Sequence, residues 1–139
     1  MAYDPSNIFG KILRGELPCT KVYEDDQTLS FLDLFPQSKG HTLVIPKVEA
    51  EGFFDIAPDA LADLIQKTQV VARAVRKALE PEGVVIMQFN GAVAGQTVFH
   101  IHFHIIPRWS VMPLKGHGQA PKADMNELAA LAEKIKASF

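Results

Sequence analysis

A chain of 139 residues with 47% apolar and 22% charged residues suits one domain around a single core, which excludes disordered and collagen-like classes. Fourteen basic and sixteen acidic residues leave a net charge of −2 without long blocks, so no nucleic-acid partner is expected. No apolar run approaches the roughly 20 residues that span a bilayer, the start MAYDPSNIFG lacks signal-peptide order, and the lone Cys19 cannot make an internal disulfide. The expectation is a cytoplasmic protein without membrane contact.

Asp4 and Pro5 precede Ile8, Phe9, Ile12 and Leu13, a short amphipathic pattern that stops at Gly15 and predicts a short helix. Val22–Glu24 and Thr28–Asp33 flank the turn-prone Asp25-Asp26-Gln27, which predicts an antiparallel hairpin, and Thr42–Ile45 reads as a third strand closed by Pro46. A long helix is expected from Pro58, with Leu61, Leu64, Ile65, Thr68, Val71, Ala72, Val75, Ala78 and Leu79 on one face, ending at Pro81 and Gly83. Val84–Phe89 reads as a buried strand, Gly91–Gly95 as a turn and Val98–Ile106 as the partner strand. After a breaker-rich loop from Val111 to Pro121, a last helix is expected from Asp124, with Leu128, Leu131, Ala132 and Ile135 on its apolar stripe and Glu127 completing the cap. The order predicts an α+β fold around an antiparallel sheet, a single domain over 1–139 with 111–139 as a C-terminal loop and helix.

The chemistry-bearing segment is Val98-Phe99-His100-Ile101-His102-Phe103-His104-Ile105-Ile106. Alternate residues of a strand share a face, so the spacing predicts three imidazoles on one side and Phe99, Ile101, Phe103 and Ile105 on the core side. Three imidazoles are a poor core, because each brings polar nitrogens that must be hydrogen-bonded when buried. By contrast His117, alone in Gly116-His117-Gly118, reads as an ordinary structural loop residue, and Cys19 as a half-buried thiol.

Two chemistries suit the row. A His-x-His pair can chelate zinc, but at a rise of roughly 3.3 Å per residue His100 and His104 are about 13 Å apart, too far to converge easily with His102 on one ion. Covalent catalysis needs only one histidine: neutral imidazole offers a lone pair near neutral pH, and its bond to phosphorus is labile. His102, in the middle, is then the natural nucleophile. The small-residue turn Gly91-Ala92-Val93-Ala94-Gly95 admits close approach of a phosphate, and Gln96 and Thr97 can donate to it; Arg108 could face phosphate or solvent.

His100-Ile101-His102-Phe103-His104-Ile105-Ile106 resembles the signature of the histidine triad (HIT) superfamily, and Ile8–Ile12, Val22–Asp26, Phe31–Asp33, Gly40–Lys47 and Gly95–Val98 look like segments of its Hint-like branch in the right order. The resemblance implies a five-stranded antiparallel sheet, one long and one or two shorter helices, and a homodimer whose protomers join their sheets. It implies a hydrolase or transferase acting at the α-phosphate of a nucleoside phosphoramidate or dinucleoside polyphosphate, with a purine nucleotide as substrate, no cofactor, and a nucleotide-binding regulatory protein as the rival reading. By resemblance His102 is the nucleophile, His104 a donor to the α-phosphate, His100 and His41 supports, and Gln96 and Thr97 contacts to phosphate and leaving group. Asp33 would bind the ribose hydroxyls, while Ile8, Phe9, Phe31 and Leu34 would wall the base, with Gly95 at the phosphate turn.

The sequence departs from that pattern at two places. Many relatives carry a zinc-binding Cys-x-x-Cys near the N-terminus where this chain has Asn7 and Gly10, so no metal is expected. At Phe89-Asn90-Gly91 the usual ligand asparagine would fall on Phe89; Asn90 is the candidate replacement, although adjacent strand residues face opposite sides.

Overall fold

The computed structural model describes residues 2–117 and 120–139, so residues 118 and 119 of the expected C-terminal loop lie outside it. The chain forms α1 (Ile8–Leu13), β1 (Lys21–Glu24), β2 (Thr28–Leu32), β3 (Thr42–Pro46), α2 (Pro58–Leu79), β4 (Gly83–Met87), a 3₁₀ turn at Ala92–Ala94, β5 (Phe103–Arg108) and α3 (Met125–Lys136). The strands make one antiparallel sheet in the order β1-β2-β3-β5-β4. The expected α+β architecture of five strands, one long helix and two shorter ones is the observed one.

Local chemistry accounts for the boundaries. Asn7 caps α1 by accepting from Gly10 N at 2.8 Å, and Asp124 caps α3 by accepting from Asn126 N at 2.9 Å. In the hairpin turn, Asp25 Oδ1 accepts from both Gln27 N and Thr28 N at 2.9 Å, satisfying donors that the ladder leaves over. Helix α2 starts with Pro58 in its first turn and ends at Leu79, where Glu80 turns into the left-handed region at φ 49°. Among the described residues, no helix is long and apolar enough to cross a membrane.

The period-2 pattern of the strands divides the sheet into two covered faces. Leu32, Val44, Ile101, Phe103 and Ile105 pack beneath α2 and α3 through Leu64, Val71, Val75, Leu128 and Ile135. On the opposite face Leu29, Phe31, Leu43 and Ile45 meet Phe9 of α1. This second cover is only six residues long, and it leaves room beside it for a cavity.

Three expectations change. Ile65 is 45% exposed, and Ala74 takes its place in the buried stripe of α2. Strand β4 was expected to be buried but lies at the sheet edge, paired only with β5, so Ile86 is 46% exposed. Strand β5 begins at Phe103 instead of Val98, because the preceding residues bond to a loop: Ile101 N donates to Ala50 O at 2.9 Å, and Gln96 Nε2 donates to Glu51 O and Val98 O.

Gly40 sets the entry to β3. Its φ of +84° is left-handed, and a Cβ there would lie 2.2 Å from Leu79 Cδ1. Gly40→Ala is expected to destabilise the fold by about 1–3 kcal/mol, combining left-handed strain with overpacking, as read from urea unfolding midpoints at constant m-value.

Candidate active site

Sheet register builds the floor of the site. Phe31 pairs with Leu43, Leu43 with His104, and His104 with Met87, so one row of side chains crosses four strands on the α1 face. Just beyond the β2–β3 ladder, Asp33 N donates to His41 O at 2.9 Å, which brings Asp33 and His41 alongside that row. Asp33 Oδ2 lies 3.5 Å from His41 Nε2.

The protonation pattern follows from fixed donors. The N–H of Gln37 donates to His41 Nδ1 at 3.0 Å, so neutral His41 carries its proton on Nε2. That proton is shared with His104 Nδ1 at 2.9 Å, which leaves the His104 proton on Nε2, buried and without a partner among the described residues. His102 is fixed the other way: its Nδ1–H donates to the His100 carbonyl at 2.7 Å, so its lone pair sits on Nε2. The cluster therefore carries a lone pair on His102 Nε2 and a buried N–H on His104 Nε2, with ring centroids 4.9 Å apart.

His100 is held on both nitrogens. Its Nε2–H donates to Pro46 O at 2.8 Å, and its Nδ1 accepts from the Tyr3 hydroxyl at 2.5 Å. The side chain thereby takes a carbonyl at the end of β3, and His100 and His102 precede the strand while His104 lies within it. Ile101, Phe103 and Ile105 reach the core as expected, whereas Phe99 is only half-buried.

A cavity of about 660 Å³ opens over the row, a size suited to a small ligand. Of the residues singled out from sequence, Ile8, Phe9, Phe31, Asp33, Leu34, Thr97, His102 and His104 line it. Phe9 sets its ring edge-on to His102, with centroids 4.9 Å apart, and to Phe31 at 5.4 Å. His41 and His100 stand behind the lining residues. Gln96 is buried and bonds only to backbone: its Oε1 accepts from Gly91 N at 2.8 Å while its Nε2 holds Glu51 O and Val98 O, so it shapes the turn instead of reaching into the cavity. Gly95 ends that turn at φ 109° with Phe89 packed beneath it.

Asn90 is turned away from the cavity. Its Oδ1 accepts from Phe53 N and Gln88 Nε2, and its Nδ2 donates to Gln88 Oε1, so the face opposite is occupied by Phe89, whose ring meets His104 at 5.4 Å. Cys19 lines the cavity, but burial pushes its thiol up and keeps it protonated. Arg108 is absent from the lining residues. Tyr3, Gln37 and His117 carry no periodic or motif signal, and their partners lie far away in sequence or in loops without pattern.

Sequence spacing offered no second ligand group for a metal, yet the fold gathers Asp33, His41 and His104 with ligand atoms within 4.8 Å of one another. The 2.9 Å between the two imidazole nitrogens is a shared-proton distance, shorter than the about 3.3 Å between ligands of a tetrahedral zinc with 2.0–2.1 Å bonds. At the N-terminal pair weighed for zinc, Asn7 caps a helix and Gly10 has no side chain, so these residues do not fit that metal.

Burial lowers the pKa of all four clustered histidines. His102 is pushed down to about 4, partly offset by its bond to the His100 carbonyl; His41, His100 and His104 move in the same direction, His41 against the pull of Asp33. All four are neutral at pH 7. Between the ordinary histidine value near 6.5 and these lowered values the unfolded chain binds more protons, so stability rises with pH and is lost as pH falls below about 6.5. Calorimetric unfolding at pH 5 in buffers of different ionisation enthalpy should show uptake of about three protons, and uptake below one would contradict the buried neutral cluster.

The comparisons agree with this geometry. Residues 14–111 match the family described as HIT domain. The adenosine 5'-monophosphoramidase hnt1 of Schizosaccharomyces pombe is 44% identical over 103 residues, covering 74% of each chain. The adenylylsulfatase HINT3 of Arabidopsis thaliana is 36% identical over 133 residues, covering 91% of this chain and 68% of its own. The crystal structure of a Hit-like protein from Bartonella henselae superposes with a TM-score of 0.92 at 42% identity, covering 100% of both chains. With its neutral histidine row, its sheet order and these matches in accord, the chain belongs to the HIT family.

Proposed function

We propose that the protein is a nucleotide hydrolase or transferase that cleaves a nucleoside phosphoramidate, or a dinucleoside polyphosphate, at the α-phosphorus through a covalent nucleotidyl-histidine. The observation that carries this reading is the opposed protonation of His102 and His104. The Nδ1–H of His102 is bound to the His100 carbonyl, which leaves its lone pair on Nε2, and the Nε2–H of His104 is buried and unpaired among the described residues, while both residues line one cavity. Names of relatives support the substrate class, since one is called an adenosine 5'-monophosphoramidase and another an adenylylsulfatase.

In the first step His102 Nε2 forms a bond to phosphorus while the bond to the amine or oxygen leaving group breaks, and the leaving group takes the electron pair and a proton from solvent. The His104 N–H stabilises charge developing on a phosphate oxygen. In the second step water forms the new P–O bond and gives up a proton to solvent, the P–N bond to His102 breaks, and its electron pair returns to Nε2. Asp33 accepts hydrogen bonds from the ribose hydroxyls, Ile8, Phe9, Phe31 and Leu34 enclose a purine, and Thr97 faces the leaving group. Gln96, Gly95 and Asn90 act through the shape of the turns they hold. No cofactor takes part.

His102→Gly is expected to abolish hydrolysis of an adenosine phosphoramidate while leaving mononucleotide binding intact. In wild type, mass spectrometry after a quench that avoids acid should place one added nucleoside monophosphate on His102; a label on His100, His104 or Thr97 would assign the wrong nucleophile. Retained nucleotide binding without turnover by wild type would favour the regulatory reading instead.

The apolar, half-exposed outer side of β4 supports the homodimer, with two sheets joined along that edge. Light scattering at micromolar concentration should give twice the chain mass, and Ile86→Lys should shift the species toward monomer.

A further inference from the structure

Among the described residues, three buried side-chain nitrogens lack a partner: Arg108 Nε, His104 Nε2 and His117 Nε2. Both histidines line the cavity, and their rings meet edge-on at 86° with centroids 5.5 Å apart. A buried donor left unpaired is unfavourable, and two of them on neighbouring residues that line one cavity point to an acceptor taken up beside them.

The tautomer of His117 is set by the same residue that sets His41. The amide Nε2 of Gln37 can only donate, and it lies 3.0 Å from His117 Nδ1, so neutral His117 carries its proton on Nε2. Gln37 is itself buried, and its carbonyl accepts from Lys115 N at 3.0 Å. A second anchor, Ala123 N donating to Leu34 O at 2.8 Å, fixes the far side of this C-terminal segment. Phe89 supports both rings from below, 5.4 Å from His104 and 5.2 Å from His117. From the same segment Lys122 brings a cation to the cavity wall.

We propose that His117 is a second phosphate-binding residue, whose Nε2–H works beside that of His104 to hold non-bridging oxygens of the nucleotide phosphate. The proposal rests on the nucleotide reading above. It gives the C-terminal segment a direct part in the site and explains why Gln37 is buried with its backbone N–H on one imidazole and its side chain on another.

The test compares AMP with adenosine, which differ by the phosphate alone, in calorimetric titrations of wild type, His117→Phe and His117→Gln. Phenylalanine keeps the ring against Phe89 but has no donor, whereas glutamine keeps a donor without the ring. Expected is a 10- to 100-fold loss of AMP affinity in His117→Phe, about the range for a hydrogen bond to a charged group, with adenosine binding unchanged and a smaller AMP loss in His117→Gln. AMP affinity of His117→Phe within twofold of wild type, or equal losses for AMP and adenosine, would overturn the proposal. Wild type that binds neither ligand would overturn the nucleotide reading itself.

Should the variants fail to fold, ¹⁵N-histidine spectra of wild type decide. AMP should shift the Nε2–H resonances of both His104 and His117, and a shift at His104 alone would sink the role given to His117.

Discussion

The backbone N–H of Gln37 can only donate, and from that one constraint the protonation of the site unfolds. It makes His41 Nδ1 an acceptor, which sends the His41 proton to His104 and leaves the His104 proton on Nε2. The same residue's side chain imposes the matching choice on His117. A separate carbonyl, that of His100, orients His102 in the opposite sense. The cluster is thus a set of neutral imidazoles whose roles are written by their neighbours, since the bare residue type would permit either tautomer.

Burial makes this arrangement work. With His41, His100, His102 and His104 nearly inaccessible, charging any of them is unfavourable, and His102 keeps its lone pair well below neutral pH. The scaffold that buries them is ordinary. Helices α2 and α3 cover one sheet face with apolar residues, so the other face can tolerate a polar row under the short α1.

Much of this was legible in the sequence because it is written in short periods. The 3.6-residue pattern after Pro58 located α2, alternation located the strands, and the His-x-His-x-His row identified His102 and His104 before any coordinates. The row misled where tertiary bonds override local pattern: a strand from Val98 was expected, but Ala50 O and the side chain of Gln96 claim that backbone, and β5 starts five residues later. Asn90 stood as the candidate replacement for a ligand asparagine whose place falls on Phe89, and its side chain meets Gln88 and Phe53 instead. Tyr3 and His117 were silent for a simpler reason. Their partners, His100 and Gln37, stand 97 and 80 residues away, and no local period encodes such a pairing.

The attachment of Tyr3 to His100 has a kinetic meaning. Residues 2–6 precede α1 as an irregular segment and a turn, and the tyrosine hydroxyl ties them to His100, beside the Phe9 ring that lines the cavity. A hydrogen bond of this kind contributes about 0.5–1.5 kcal/mol net, so thermal motion breaks it readily. The segment ahead of α1 is therefore latched to the histidine row by a contact whose strength depends on neither zinc supply nor thiol oxidation, and which opens as often as thermal motion allows.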